Sequence, residues 1–215
     1  MTYFDNKLAF TDEASGDNST NVDSKGTGIS RVVLNLRASS FDSVGSLVNG
    51  KKVLDVGCNN GCWMSWLLDK GATHVVGIDS DSGVIGVANT NMQEYHATSK
   101  YTLAISKWED YTAPADIDVV FCAGMLSFGT TQSSLITKLA TFGDKLILEG
   151  AVTTSANSVE KTNPDDGVGN WYSKTKVPTI NNIKAYLESS FTTLTWKDPS
   201  SYSSNWAGIV LVTAE

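Results

Sequence analysis

The segment VLDVGCNNG, residues 53–61, decides how this chain is interpreted, because an apolar strand carrying an acid runs directly into a glycine-containing turn. Gly57 permits unusual backbone dihedrals and leaves bare backbone against which a ligand can lie. Asn59 stands where the fingerprint of dinucleotide-binding turns has its middle glycine, and asparagine tolerates the left-handed conformation better than most residues. Gly61 lets the next helix begin close to that ligand. The segment therefore predicts a strand, a ligand-binding turn and a helix.

A second acidic strand end follows 24 positions after Asp55, in Gly77-Ile78-Asp79. A carboxylate at this position of a βαβ unit can accept two hydrogen bonds from the hydroxyl groups of a ribose. The fingerprint G-x-G-x-x-G of nicotinamide enzymes would require a third glycine, which this turn lacks. The two motifs together favour a nucleoside-type cofactor and make a nicotinamide oxidoreductase a distant alternative.

Strands and helices alternate outward from this unit, which predicts an α/β fold. The predicted sheet is Rossmann-like, doubly wound and mostly parallel, with helices on both faces. Two C-terminal strands are separated only by a turn-rich spacer too short for a helix, so we expect them to pair antiparallel. The predicted strands are residues 53–56, 75–78, 101–105, 119–122, 145–148, 191–196 and 206–212.

Composition limits the possible functions of the 215 residues. Hydrophobic residues make up 41% and charged residues 18%, which supports a folded core rather than a disordered chain. The net charge of −7 and the presence of only two arginines disfavour nucleic acid as a partner. No run reaches the length of a membrane span. Three cysteines and the lack of a recognisable signal peptide favour a cytoplasmic location.

Two polar stretches interrupt the pattern. Residues 1–29 have little apolar periodicity and are predicted to form a flexible N-terminal arm, with the folded domain covering residues 30–215. Residues 150–177 follow the fifth predicted strand at the edge where ligands bind in open α/β sheets. This stretch carries the aromatic pair Trp171 and Tyr172, which a polar loop does not need for its own stability. We expect the pair to contact a substrate.

The segment VLDVGCNNG, followed by VGIDSD at residues 76–81, resembles the first two motifs of class I S-adenosylmethionine (SAM)-dependent methyltransferases. The resemblance covers residues 30–214 and implies a seven-stranded sheet with a C-terminal antiparallel hairpin, and SAM as the cofactor. By this resemblance, the turn contacts the methionine part of SAM, and the end of the second strand holds the ribose. Residues after the third strand flank the adenine, and residues after the fourth strand close the pocket. The implied cofactor-binding residues are Asp55, Gly57, Cys58, Asn59, Gly61, Asp79, Ser80, Lys107, Trp108, Glu109, Cys122 and Met125.

A finer resemblance concerns residues 121–126, 146–149, 170–172 and 177–179, which are similar to the branch containing wobble-uridine tRNA carboxymethyltransferases. That branch carries Tyr-His after the fourth strand, where this chain has Ser127-Phe128. The branch also has a basic RNA-binding extension that this sequence lacks. The likeness therefore implies a shared shape and not a shared tRNA substrate.

A general base is needed only if the methyl acceptor must lose a proton. His74 and His96 precede the second and third strands, so both are expected at the edge away from the ligand. The remaining candidates are Glu149 and Tyr172, followed by Asp165 and Asp166. Cys58 and Cys62 are not joined by further ligands in the sequence, so no metal site is predicted.

These observations leave three hypotheses. The first is a SAM-dependent methyltransferase that acts on a small molecule. The second is an RNA or tRNA methyltransferase, which a strongly salt-dependent affinity for RNA would favour. The third is a protein that binds SAM or serves as a scaffold without catalysis. The sequence does not define an oligomeric state.

Overall fold

The computed structural model describes residues 3–7, 10, 31–127, 132–152, 159–161, 175–197 and 209–214. Within these ranges, helices and strands alternate from α1 to β3, and β4, α4 and β5 follow. The α-helices are α1 (Arg31–Phe41), α2 (Cys62–Asp69), α3 (Ser82–Tyr95), α4 (Gln132–Leu139) and α5 (Ile180–Glu188). The strands are β1 (Lys52–Val56), β2 (His74–Asp79), β3 (Tyr101–Ile105), β4 (Val119–Ala123), β5 (Lys145–Ala151), β6 (Val159–Lys161), β7 (Thr175–Val177), β8 (Leu194–Lys197) and β9 (Ile209–Ala214).

The main sheet has the strand order β3-β2-β1-β4-β5-β9-β8. The first five strands are parallel, and β1 lies between β2 and β4, with Val53 opposite Val75 on one side and Val119 on the other. The prediction of a Rossmann-like, mostly parallel α/β fold is confirmed. Strand order reverses between β1 and β4, and ligands in such sheets bind outside the carboxyl ends of the strands at this reversal.

The two C-terminal strands pair antiparallel, as their short spacer predicts. β9 lies between β5 and β8, with Ala214 opposite Leu146 of β5 and Leu194 of β8. The spacer itself lies outside the described residues.

Apolar side chains cover both faces of the sheet because successive strand residues point to opposite sides. Val53 of β1 belongs to the cluster under α1, α2 and α3, whereas its neighbour Leu54 belongs to the cluster under α4 and α5. Four rings form the centre of the first cluster, with centroid separations of 4.8 to 6.5 Å: Phe41, Trp63, Trp66 and Phe121. The fold thus leaves the carboxyl edge of the central strands as the place for a site.

Several details differ from the sequence predictions. β5 continues to Ala151, three residues beyond its predicted end, and β8 begins at Leu194 rather than at residue 191. The polar stretch 150–177 contains an antiparallel ribbon of β6 and β7, which its composition did not indicate. α3 spans Ser82–Tyr95 although glycines 83 and 86 weaken its pattern, because Asp81 caps its first turn by accepting hydrogen bonds from the amides of residues 83 and 84.

Part of the predicted N-terminal arm is attached to the domain. Tyr3–Asn6 forms a 3₁₀-helix, and Phe10 is fully buried with its ring 5.3 Å from that of Tyr95. Apolar burial holds these residues, since an exposed Phe gains about 1.5–3 kcal/mol on entering a core. Residues 11–29 lie outside the described part of the chain, so the flexibility of the arm as a whole stays a prediction.

Candidate cofactor site

The turn after β1 adopts the left-handed backbone that its residue types indicate. Gly57, Asn59 and Gly61 have φ angles of +76°, +48° and +85°, and Asn59 is the non-glycine residue with positive φ in the described chain. The carbonyl of Ile78 accepts hydrogen bonds from the amides of Gly57 and Cys58 at 2.9 and 3.0 Å. The end of β2 therefore holds the turn in place.

Asp79, the last residue of β2, faces this turn. Its Oδ2 accepts a hydrogen bond from the Asn59 amide at 3.2 Å, and its Oδ1 accepts one from the Asp81 amide at 3.1 Å. Each carboxylate oxygen has two acceptor positions, so each can accept a further bond from a ligand hydroxyl. The structure thus brings together the two motifs that are separated in the sequence. Ser80, the next residue, is exposed.

The residues after β3 join the same edge. The Ser106 amide donates to the Asp79 carbonyl at 2.9 Å, which ties the end of β3 to the end of β2. Trp108 is half-buried and packs on the cluster under α4 and α5, whereas Lys107 and Glu109 are exposed. Of the three residues predicted to flank the adenine, Trp108 is therefore the one whose side chain packs beside the edge of the sheet.

Met125, in the 3₁₀-helix Met125–Ser127 that follows β4, lies directly over Gly57. A Cβ added to Gly57 would stand 2.6 Å from the Met125 sulfur, so bare backbone is required there. Cys122 is fully buried within β4, and burial raises the pKa of its thiol well above the usual range. Met125 therefore borders the turn, while Cys122 serves as a neutral core residue behind it.

Asp55 is an acid buried directly behind the turn. The residue is 1% exposed, and its Oδ2 has no hydrogen-bond partner. Burial, together with the nearby charge of Asp79, raises the pKa of Asp55 to about 8. Burial also raises the pKa of the Cys62 thiol to about 12 and that of the Cys58 thiol well above its usual value. Burial therefore favours the neutral forms of all three side chains behind the turn.

Glu149 has a different environment from the one that a general base needs. Its two carboxylate oxygens accept hydrogen bonds from Arg37 Nε at 3.0 Å and Nη2 at 2.6 Å, and the pair is buried. The guanidinium also lies 5.1 Å from the ring centroid of Trp63. Glu149 is therefore a partner in a buried ion pair that joins α1 to β5, and the geometry disfavours the predicted catalytic role.

Asn60 is a site residue that the sequence analysis missed. It is 1% exposed: its Nδ2 donates to the Phe10 carbonyl, and its Oδ1 accepts from the Cys62 amide, each at 3.3 Å. Its carbonyl accepts from Asn91 Nδ2 at 3.2 Å. The only local signal was an asparagine two residues before the helix, a common capping arrangement.

The histidines contact residues other than those of the predicted site. His74 opens β2 at the opposite end from Asp79, and its Nε2 lies 3.0 Å from Thr102 Oγ1. His96 Nε2 lies 2.7 Å from Ser65 Oγ in α2.

Several expectations fall on residues outside the described ranges: the predicted substrate residues Trp171 and Tyr172 and the base candidates Asp165 and Asp166. Histidine, cysteine and carboxylate side chains of the described residues form no cluster of three that could hold a metal ion.

No helix in the described part of the chain combines the length and apolar character needed to cross a bilayer.

The strand order, the left-handed turn and the acidic end of β2 define a domain with the class I SAM-dependent methyltransferase fold. Residues 53–142 match the family model described as a methyltransferase domain. The solved magnesium protoporphyrin IX methyltransferase (ChlM) from Synechocystis PCC 6803 with bound SAM superposes with a TM-score of 0.67. The superposition covers 97% of this chain and 89% of that one at 19% sequence identity. The predicted class I SAM-dependent methyltransferase fold is thereby confirmed.

Curated relatives match over shorter stretches. Ubiquinone biosynthesis O-methyltransferase of Azoarcus sp. (strain BH72) is 40% identical over 87 residues, which are 40% of this chain and 37% of that protein. Ribosomal protein L11 methyltransferase of Yersinia pseudotuberculosis serotype O:1b (strain IP 31758) is 30% identical over 118 residues, 55% of this chain and 40% of that protein. The matches thus span well under half the length of these relatives.

The buried Asp55 predicts a pH-dependent stability. The folded protein holds this proton up to about pH 8, whereas the unfolded chain releases it near the ordinary pKa of 3.8. The folded state binds more protons between these values, so the Asp55 contribution to the free energy of unfolding falls as pH rises, by up to about 1.4 kcal/mol per pH unit. Urea unfolding of Asp55→Asn should lack this decline. The control Asp144→Asn, at an exposed position, should show the same pH dependence as the wild type. If the free energy of unfolding of Asp55→Asn declined with pH as it does in the wild type, the raised pKa of Asp55 would be contradicted.

The Arg37–Glu149 pair predicts a stability effect rather than a purely catalytic one. Glu149→Gln leaves a buried guanidinium without its charge partner, which should lower the free energy of unfolding by about 3–5 kcal/mol. Glu188→Gln is the matched control, because the Lys184–Glu188 pair is exposed and should contribute less than about 1 kcal/mol. Urea titrations measure both changes. Wild-type stability in Glu149→Gln would show that the pair does not stabilise the fold.

Proposed function

We propose that this protein is a SAM-dependent methyltransferase that acts on a small-molecule acceptor. The observation that carries the proposal is the left-handed turn Gly57–Gly61 facing the Asp79 carboxylate across the ends of β1 and β2. A left-handed, partly buried backbone turn beside an acidic strand end is an arrangement suited to a nucleoside with a flexible charged substituent.

The described residues suit SAM in charge as well as shape. SAM supplies a methyl group already activated by a positively charged sulfonium. Asp79 provides a carboxylate at the edge of the turn, and it can also accept hydrogen bonds from ribose hydroxyls. The lack of a side chain at Gly57 lets Met125 lie directly against the backbone of the turn.

The contribution of the protein to methyl transfer would be alignment rather than chemical activation. Holding the methyl donor and acceptor in line can lower the barrier by about 7–11 kcal/mol. Arg37 occupies both oxygens of Glu149, so Glu149 is disfavoured as a base unless the pair separates. Tyr172 remains the proposed base for an acceptor that must lose a proton.

A small acceptor is favoured by the names of similar proteins and by charge. The ubiquinone biosynthesis relative and the magnesium protoporphyrin IX neighbour are both named for methylation in small-molecule chemistry. A net charge of −7 opposes non-specific attraction to nucleic acid. The resemblance to the wobble-uridine tRNA branch therefore supports a shared shape more than an RNA substrate.

A macromolecular acceptor is the second candidate, favoured by the likeness to ribosomal protein L11 methyltransferase. Methylation of a protein fraction, with none of small aromatic or quinone-like compounds, would favour this candidate. Binding of SAM without transfer to either class would favour the non-catalytic alternative.

Asp79→Asn is the direct test of the cofactor assignment. The change keeps the size of the side chain and removes the charge, so SAM affinity should fall about 10- to 150-fold, the effect of losing about 1.5–3 kcal/mol from hydrogen bonds to a charged group. Calorimetry with SAM and with its demethylated product measures the loss. Asp110→Asn, at an exposed position after β3, should bind as the wild type does. Equal affinity of Asp79→Asn and wild type would refute the ribose assignment.

The substrate assignment of Trp171 and Tyr172 predicts a loss of turnover without a loss of cofactor. The β6–β7 ribbon, which flanks residues 162–174 in the sequence, contacts the 3₁₀-helix Met125–Ser127 at the carboxyl edge of the sheet. Trp171→Ala and Tyr172→Ala should therefore lower methyl transfer at least about tenfold while SAM affinity stays within about twofold. Tyr172→Phe separates ring contact from proton transfer. Equal losses in turnover and SAM affinity would instead make the segment part of the cofactor site.

A further inference from the structure

The N-terminal segment, defined here as residues 3–7 and 10, contacts the turn that follows β1. The carbonyl of Phe10 accepts a hydrogen bond from Asn60 Nδ2 at 3.3 Å, within the buried part of the chain. Phe10 itself has no exposed surface and belongs to the cluster under α1, α2 and α3. A stretch outside the predicted domain 30–215 is thus hydrogen-bonded to the cofactor turn.

Lys7 anchors this segment on α2. Its Nζ lies 2.9 Å from Asp69 Oδ2 and donates to Ser65 Oγ at 3.0 Å, and it lies 4.6 Å from the ring centroid of Tyr95. Tyr3 donates its hydroxyl to the same Asp69 carboxylate at 2.8 Å. The Lys7 side chain is 14% exposed and that of Asp69 is 38% exposed, so the ion pair is only partly removed from solvent.

From Phe10, hydrogen bonds continue through the turn to the proposed ribose-binding carboxylate. The Asn60 amide donates to Asn59 Oδ1 at 2.6 Å, and the Asn59 amide donates to Asp79 Oδ2 at 3.2 Å. Asn59 therefore joins Asp79 to Asn60, and Asn60 joins Asn59 to the Phe10 carbonyl. A displacement of Phe10 would remove one of the two hydrogen bonds of the Asn60 side chain and leave the one from the Cys62 amide.

We propose that the N-terminal segment is a working part of the SAM site, in which Lys7 and Asn60 are positioning residues for the turn Gly57–Gly61. Lys7 fixes the segment on α2, the Phe10 carbonyl fixes Asn60, and Asn60 and Asn59 fix the turn against Asp79. The effect on SAM binding rests on the proposed function, whereas the ordering of the turn does not. None of these residues needs to touch the cofactor for its loss to weaken binding.

A double-mutant cycle on the full chain tests the route of this coupling. Lys7→Met keeps the aliphatic stem and removes the charge, so it should raise the dissociation constant for SAM about fivefold, a modest coupling between sites. In an Asn60→Ala background, Lys7→Met should have no further effect, because the route through Asn60 is already broken. Lys7→Arg should restore most of the affinity. Lys184→Met, at an exposed ion pair on α5, is the matched control and should bind SAM as the wild type does.

Hydrogen exchange of the ligand-free protein gives a readout that does not depend on SAM. The amides of residues 57–61 should exchange faster in Lys7→Met than in wild type, and at the wild-type rate in Lys184→Met. If Lys7→Met lowers overall stability too far, Tyr3→Phe removes the hydroxyl contact with Asp69 while keeping the ring, and it should show the same change in smaller measure.

Each result separates the two proposals. Wild-type SAM affinity and wild-type exchange in Lys7→Met would overturn the positioning role, and so would an equal loss of affinity with and without Asn60. Failure of the wild-type chain to bind SAM would overturn the proposed function and, with it, the effect of the N-terminal segment on SAM binding. Hydrogen exchange at residues 57–61 would then decide whether the segment orders the turn.

Discussion

The chain leaves β1 through a turn in which Gly57, Asn59 and Gly61 all have positive φ, and the rest of the site is arranged around this backbone path. The left-handed conformation costs a non-glycine residue about 1–2 kcal/mol, so it persists only where surrounding contacts hold it. The Ile78 carbonyl and the Asp79 carboxylate provide those contacts from the end of β2. Consequently the strand that presents the second acidic motif also determines the shape of the first.

A second constraint is the charge behind the turn. Asp55 lies in a core of strands and thiols, where burial opposes its ionisation and nothing in the described chain pairs with its Oδ2. By contrast, the buried carboxylate of Glu149 is balanced by Arg37. Two buried carboxyl groups of the sheet thus differ: Glu149 is paired and joins α1 to β5, whereas burial favours the protonated form of Asp55.

Local sequence was sufficient wherever a short segment determines its own geometry. The conformation of Asn59, the βαβ order and the antiparallel end of the sheet follow from residue types and spacing within a few positions. The Arg37–Glu149 pair joins residues 112 positions apart, and no periodic pattern marks such a pairing. Phe10 was missed because the few aromatic residues of the first ten positions show no regular period, although burial of the Phe10 ring attaches that stretch to the core. The β6–β7 ribbon was missed because its residues are as polar as those of a loop.

The position of β9 inside the sheet has a consequence for folding during synthesis. β8 is made before β9 but reaches the sheet only through it, because β9 lies between β8 and β5. Nascent chains emerge at about 5–20 residues per second, and their N-terminal parts fold first. While residues 198–208 are being made, the outer edge of β5 lacks its neighbour and β8 has no sheet to join. That interval exposes an unpaired strand edge to other chains, so a growing polypeptide of this fold is most open to misassembly just before its sheet is complete.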